Sequence, residues 1–428
     1  MSLFKTLQSL FGISAFPGSP FSPAEVYTLC LLTFKTWPLL MPVVSFVNAP
    51  HGRFSIDHLL NVNGNLGWFL MEVPSPILFI LSVASPPLSI SPTSTTFPPL
   101  STLVNPSLST FLSLPSPNQV LAALYVIHYL HRAVLSPLRS PKRSPMHISV
   151  PLSAILFNVI NGFLMGSWIG GRTPWSALPP SSLTVALAAS NLSSKKSSAL
   201  GMKAGGLLGW LGGKLSQSEG RLAKLAATAV PPPLATGSLS LPGPGMIDPQ
   251  RAWSSPLWYL GLAGWALGFA GNVYHDEILM DLRRKPVTVK QSSSASKRAE
   301  GEASLTEEVS VGQGTQARKY AIPRGGLYKS ISYPNYFCEW IEWFSYSLAA
   351  LHLLPIFPPS ASLFSDPTTL VQSLRSNLSV MLSTPAFLFP LVEVCVMLPR
   401  AVNGHRWYIE TFADRYPKER KAVLPGLL

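Results

Sequence analysis

The sequence predicts an all-α fold: an integral membrane bundle of about seven transmembrane helices with disordered loop insertions. Three observations carry this. Only 12% of the 428 residues are charged while 47% are hydrophobic. The apolar residues gather in long runs instead of alternating with charges. Within the apolar stretch YAIPRGGLYKSISYPNYFCEWIEWFSY (320–346), Asn335, Glu339, Glu342 and Tyr346 fall at i, i+4, i+7 and i+11, one stripe on one helix face. Two carboxylates in a lipid-suited segment are costly unless they face a protein interior, so the bundle should enclose a polar cavity.

Seven stretches are long enough to cross a bilayer: 24–47, 66–84, 119–138, 147–170, 256–275, 336–357 and 378–402. Residues 1–23 hold prolines and glycines but no clean apolar core with a small-residue cleavage site, so the first span is expected to act as the insertion signal. Lys35, inside that span, reads as a snorkelling side chain or as a misplaced boundary. Cys30, Cys338 and Cys395 all lie in spans, which argues against a disulfide framework. Cys338, next to Glu339, reads as a packed apolar thiol rather than a redox group. His128 and His131 have no third ligand, and no metal site is expected.

The net charge of +13 is scattered over loops, so it speaks for orientation and against a nucleic-acid surface. Arg139, Lys142 and Arg143 follow the third span, and a basic run from Arg283 to Lys329 follows the fifth. The tail carries Arg406, Arg415, Lys418, Arg420 and Lys421, whereas no Asp, Glu, Lys or Arg occurs between Glu72 and Arg132. The positive-inside rule then puts the carboxyl terminus and the odd-numbered loops in the cytosol. Three low-complexity tracts read as inserted, disordered loops in an otherwise single membrane domain spanning 1–428: 82–118, 172–250 and 287–316. Asn191 heads an NLS sequon in the second of them and is a conditional glycosylation acceptor.

With that orientation Glu72, Tyr129, Arg132, Asn272, Asp276, Asn335, Glu339 and Arg400 share the cytosolic half of the bundle and should line one pocket. A charged cofactor would enter it from the cytosol and an apolar substrate from the lipid. Asn272, Asp276 and Arg283 are at i, i+4 and i+11, and Glu393, Arg400, Asn403 and Trp407 repeat a helical face on the last span. Such a mixture suits a phosphorylated nucleotide, with Arg and Lys on phosphates and carboxylates on ribose hydroxyls. No GxGxxG joins a strand to a helix, so a Rossmann site is not supported. Glu342 stands evenly between a site role and a structural hydrogen bond, and Asp276 could instead cap its helix or pair with Arg283.

IPRGGLYKSIS followed by PNYFCEWIEWFSYSLA resembles the cofactor region of the steroid 5α-reductase (3-oxo-5α-steroid 4-dehydrogenase) family. The tail HRWYIETFADRYPKERKAVLPGLL (405–428), NVYHDEILMDLRRKP (272–286), GWFLMEVPSP (67–76) and IHYLHR (127–132) are similar to further family blocks, in the family's order, and 272–428 is the most family-like region. The resemblance implies an integral membrane oxidoreductase of the endoplasmic reticulum that acts on CH–CH groups. It implies NADPH inside the bundle, with Asn161, Asn272, Asp276, Arg283, Tyr320, Asn335, Glu339, Arg400, His405, Tyr408 and Arg420 at matching positions. Reduction of a carbon–carbon double bond conjugated to a carbonyl follows, on a 3-oxo-4-ene steroid or sterol.

Glu72 and Tyr129 occupy the family's positions for the groups that stabilise the developing enolate, the carboxyl being kept neutral by an apolar surround. Trp68 and Met71 belong to the same block and would face the substrate. Two positions depart from the family's pattern: Met71 stands where glutamine is usual, and Gly404 where a histidine is. An enoyl-CoA or polyprenol reductase is the alternative within this chemistry, and a membrane methyltransferase or a non-catalytic membrane protein the alternative outside it. The expected partners are a hydrophobic lipid or steroid substrate and membrane lipids, with no nucleic acid, and the chain is expected to be monomeric.

Overall fold

The computed structural model describes residues 20–93, 97–174, 177, 249–284, 308–311, 318–353, 378 and 380–428. Local rules start its helices. Helix α1 (Pro23–Thr36) opens on a capping box, in which the Ser22 hydroxyl accepts from the Glu25 amide at 3.2 Å and the Glu25 carboxylate accepts from the Ser22 amide at 2.8 Å. Short turns started by Pro38 and Pro42 carry the same span to Phe46. A two-residue strand, β1 (Asn61–Val62), precedes helix α2 (Gly64–Glu72), whose first amides, of Asn65 and Leu66, are capped by the Asn63 side chain. Pro74 restarts the chain as α3 (Pro74–Val83), so Glu72 stands at a helix junction.

Helix α4 (Ser116–Tyr129) runs into a π-helical turn, Leu130–Leu135, that carries Arg132. Such turns often accompany functional sites because they re-aim a side chain within a continuous helix. Strand β2 (Met146–His147) pairs antiparallel with β1 and leads into α5 (Ser149–Ile169), which packs along α3. Helices α6 (Pro256–Arg284) and α7 (Pro334–Ala350) form the most extensive helix pair. Their approach depends on small residues: a Cβ at Gly268 would lie 2.7 Å from the Cys338 carbonyl oxygen, so only glycine lets α7 come close enough to bury Glu342. Between them in sequence, strands β3 (Glu308–Val311) and β4 (Arg318–Ala321) pair antiparallel. The long last helix, α8 (Pro385–Phe412), contains Pro390 and Pro399 and packs on α7 and α5.

Among the described residues, five helical segments are long and apolar enough to cross a membrane: Pro23–Phe46, Gly64–Val83, Ser116–Arg139, Ser149–Ile169 and Pro385–Arg415. The expected count was seven. The other two stretches, 256–275 and 336–357, fall on α6 and α7, which are helical as expected. Glycine, tryptophan and tyrosine, with Glu339 and Glu342, make that pair less apolar than the five, because its facing surfaces are suited to each other and to a polar interior rather than to lipid.

Tract 82–118 corrects another expectation, since its described residues are folded rather than disordered. It contains short helices at Leu100–Leu103 and Leu108–Leu112, and Leu88, Leu103, Val104 and Leu114 enter the main apolar core. Arg172 staples it down by donating to the carbonyls of Pro86 at 2.6 Å, Ser82 at 3.0 Å and Leu103 at 2.6 Å. Burial pushes that guanidinium down to about 10. Low charge and high Ser/Pro content mimicked a disordered loop, but one buried arginine satisfies the backbone of three turns. Most of 172–250 and 287–316, including Asn191, lies outside the described residues. Lys35 has a partner after all, donating to the Ser383 hydroxyl at 2.9 Å.

Candidate functional site

The α2–α3 junction, the π turn and α7 bring four charged groups together. Arg132 donates from Nε to Glu72 Oε1 at 3.1 Å and from Nη1 to Glu339 Oε1 at 3.0 Å. His128, one helical turn earlier, holds the Glu342 carboxylate at 2.7 Å through Nδ1 and lies 3.9 Å from Glu339 through Nε2. All three carboxylates are buried. The stripe read from the sequence is real, but its members divide: Glu339 joins Glu72 through Arg132, while Glu342 pairs with His128. Glu72 is therefore not a carboxyl in an apolar surround, as the resemblance implied; it is ion-paired to a guanidinium. Buried Glu393 on α8 adds a further carboxylate that interacts electrostatically with Glu339 and Arg132.

Trp68 covers this network. Its indole donates to the Arg132 carbonyl at 3.2 Å, and its ring lies under the guanidinium centres of Arg132 at 5.2 Å and Arg143 at 4.3 Å. Together with His128, Arg132, Asn272 and Asp276 it lines a narrow cleft of ≈10 Å³, room for about one water. Asn335 donates to Asp276 at 2.9 Å and ties the start of α7 to the carboxyl-terminal part of α6. Asp276 thus pairs with Asn335 and not with Arg283, which is exposed.

Tyr129 heads a separate hydrogen-bond chain on the inner side. Its hydroxyl accepts from Asn161 Nδ2 at 3.0 Å and donates to Asn158 Oδ1 at 3.4 Å, a long and weak bond. Asn161 also donates to the Tyr125 hydroxyl at 2.9 Å, and Tyr125 shares a 2.6 Å bond with Ser75. Asn158 donates to the Met71 carbonyl at 2.6 Å, which fastens the chain to the residue before Glu72. Asn161 accordingly sits with Tyr129, Tyr125 and Ser75. The Met71 side chain is buried.

The carboxyl-terminal half of α8 forms a second cluster. Arg400 approaches His51 Nδ1 at 3.4 Å, and burial, then the Arg400 charge, push His51 down to about 3, so it is a neutral acceptor. Arg53 donates to the Gly404 carbonyl at 3.3 Å and the Tyr408 hydroxyl at 3.2 Å, with its guanidinium 4.2 Å from the Tyr408 ring and 4.8 Å from that of Trp407. Tyr320 packs edge-on against Trp407, and His405 bonds the Ser332 hydroxyl at 2.7 Å. Arg420 is 4% exposed, and its Nε and Nη1 have no hydrogen-bond partner among the described residues. No carboxylate pairs with Arg53, Arg400 or Arg420 among the described residues.

The residues expected to line one pocket are met in these two clusters, and Arg143 interacts electrostatically with both Asp276 and His51. Arg53 and His51 escaped the sequence reading because they lie in an irregular connection, 47–60, where no periodicity marks them; the only signal is a histidine and an arginine two apart in a loop otherwise poor in charge. Among the described residues no group of three or more His, Cys, Asp or Glu is placed to hold a metal ion.

A charged cleft closed inside an apolar helical bundle, joined in one chain to a cationic, tyrosine-rich end, defines the class: a helical integral membrane protein with an enclosed polar site. Comparison with known proteins shows what the chain is similar to. Residues 310–357 and 377–428 match the family described as 3-oxo-5-alpha-steroid 4-dehydrogenase. Mouse (Mus musculus) 3-oxo-5-alpha-steroid 4-dehydrogenase 1 is 22% identical over 90% of each chain. An uncharacterized protein of Schizosaccharomyces pombe is 29% identical over 91% of this chain and 94% of its own. Steroid 5-alpha-reductase DET2 of Solanum lycopersicum is 33% identical over 28% of this chain and 34% of its own. In these segments and relatives the chain is similar to the 3-oxo-5-alpha-steroid 4-dehydrogenases, which by name are oxidoreductases.

Proposed function

We propose that the protein is an NADPH-dependent reductase of a carbon–carbon double bond conjugated to a carbonyl, with a 3-oxo-4-ene steroid or sterol as substrate. The observation that carries this reading is the Glu72–Arg132–Glu339 ion-pair network beside the weakly committed Tyr129 hydroxyl, set in an apolar interior. The α8 end fits a phosphorylated nucleotide: three arginines without a carboxylate among the described residues, one of them buried with two nitrogens unpaired, call for an anion. Arg53, Arg400, Tyr408 and Arg420 would hold the phosphates, and Asn272, Asp276, Asn335 and Glu339 the ribose and amide groups. When bound, NADPH supplies the hydride.

The chain's own residues supply the rest. Tyr129, whose bond to Asn158 is long, turns its O–H toward the substrate carbonyl, while Asn161 fixes the phenol from behind. Glu72 holds Arg132 in place and lies near enough to Tyr129 to interact electrostatically. The cationic head of Arg132 stabilises negative charge as it develops on the substrate oxygen. Trp68, which lines the narrow cleft, would have to move to admit substrate and would then exclude water.

We place the protein in the endoplasmic reticulum membrane with its carboxyl terminus in the cytosol, acting as a monomer on a lipid-borne substrate and without a nucleic-acid partner. Protease treatment of sealed microsomes tests the orientation, since a tail cut only after detergent would reverse it. The activity test is NADPH consumption by purified protein with a panel of enone steroids, polyprenols and enoyl-CoAs. Consumption with an enone steroid is expected, and activity on a polyprenol or enoyl-CoA alone, or on nothing in the panel, would overturn the reading.

A further inference from the structure

On α8, Arg400, Gly404 and Tyr408 are spaced i, i+4 and i+8 and share one face. Its middle position has no side chain, yet its space is full. A Cβ built on Gly404 would coincide with the Tyr333 hydroxyl and would lie 2.9 Å from that ring's Cε2. The phenol of Tyr333, which comes from the turn before α7, therefore takes the place on α8 that a residue at 404 would fill. Arg53 borders the same spot: it donates to the Gly404 carbonyl and the Tyr408 hydroxyl, and its guanidinium is 5.5 Å from the Tyr333 ring centre.

We infer that Tyr333 is a phosphate-binding residue of this chain, completing with Arg53 and Arg400 an anion pocket for the nucleotide; the inference rests on the reading above. Three further observations support it. The Tyr333 residue is 8% exposed, and its hydroxyl has no hydrogen-bond partner among the described residues. Burial, opposed by Arg53, pushes it up to about 12, so it remains a protonated donor at neutral pH. Tyr333 is also the N-cap of α7, a helix of 17 residues with no side-chain cap, whose first amides face an incoming anion with the positive end of the helix dipole. A donor at 333 and a side chain at 404 are mutually exclusive; this chain has the donor.

The test measures NADPH affinity by calorimetry on detergent-solubilised full-length protein, with thermal unfolding in parallel. Tyr333→Phe keeps the ring and removes one oxygen; it should weaken NADPH roughly tenfold, as loss of one hydrogen bond to a charged group does, with an unchanged melting temperature. Gly404→His, which must evict the phenol, should weaken binding at least as much. The double variant Tyr333→Ala with Gly404→His should bind better than either Tyr333→Ala or Gly404→His alone, because an imidazole then fills the vacated space and restores a donor. Inorganic pyrophosphate should compete with NADPH less well against Tyr333→Phe than against the natural protein.

Wild-type protein that binds no NADPH would overturn the functional reading and this inference with it. Wild-type binding with unchanged affinity in Tyr333→Phe would overturn the inference alone, as would a double variant no better than its parents. An effect of Tyr333→Phe on binding of anionic-lipid vesicles but not of NADPH would assign the pocket to a headgroup and equally overturn it.

Discussion

The Arg132 guanidinium lies 3.1 Å from the Glu72 carboxylate, and this pair joins the π turn after α4 to the junction of α2 and α3. The same guanidinium reaches Glu339 on α7, so one cation holds together the two segments that carry the acidic residues of the site. The side chain of Arg132 is 22% exposed and those of Glu72 and Glu339 are 7% and 2% exposed, so the cation faces the cleft while its anions face the protein.

Replacing Glu72 with Gln keeps the shape and leaves Arg132 paired with Glu339. NADPH affinity should be unchanged and turnover should fall roughly a hundredfold, because Arg132, the group that stabilises the developing charge, loses the partner that aims it. Arg132→Met is the contrasting change, because it strands two buried carboxylates and should cost about 3–5 kcal/mol of stability, as breaking a buried pair does. Turnover assays and thermal melts separate the two. A Glu72→Gln protein working at the natural rate would return Glu72 to a purely structural role.

Tyr129→Phe should lower turnover on the same step while sparing nucleotide binding. Because Tyr129 and the Arg132 that Glu72 holds in place would serve one oxygen, the double change should cost less than the sum of the single costs. Asn161→Leu, which removes the 3.0 Å bond behind the phenol, should reproduce part of the Tyr129→Phe loss with no effect on NADPH affinity. If Asn161→Leu instead weakened NADPH alone, Asn161 would belong with the cofactor, where the family resemblance had put it.

How much of this was legible depended on periodicity. The stripe from Asn335 to Tyr346 and the pair Asn272 and Asp276 could be read because a helix repeats every 3.6 residues, and the structure brings Asn335 and Asp276 together. What periodicity cannot show is which helix faces which. His128 was given no role by its spacing and is the partner of Glu342, 214 residues away in sequence. Gly404 looked like a lost side chain, while its space is filled from position 333. Arg53, His51 and Arg172 sit in irregular connections, where charge carries no positional information until the backbone carbonyls around it are known.

Arg400 and its neighbours predict nucleotide preference. With no carboxylate paired to Arg53, Arg400 or Arg420 among the described residues, the pocket gains most from the ligand with the most phosphate charge, so NADPH should bind more tightly than NADH. Arg400→Ala should narrow that difference and leave the melting temperature within a degree or two, since Arg400 is only partly buried and its hydrogen bond is long. Side-by-side titrations with both nucleotides decide it: equal affinities in the natural protein would sink the prediction, and an unchanged ratio in Arg400→Ala would place the preference on Arg53 or Arg420.

His51 predicts how the α8 end responds to acid. In the folded protein, burial and then the Arg400 charge push its imidazole down to about 3, whereas in the unfolded chain it titrates near its ordinary value of about 6.5. Between those values the unfolded chain binds the proton and the folded chain does not. Stability therefore rises with pH across the window and is lost as pH falls from about 6.5 toward 3. A proton forced onto His51 would also face the Arg400 guanidinium, 3.4 Å away, and loosen the α8 cluster. Melting temperature and NADPH affinity should both decline from about pH 7 to about pH 5, and His51→Gln, which keeps an acceptor for Arg400 but cannot charge, should flatten part of each decline. Other buried groups contribute to the natural profile, so the informative quantity is the difference between the two proteins' slopes. Parallel profiles for His51→Gln and the natural protein would show that His51 does not couple protonation to this end of the fold.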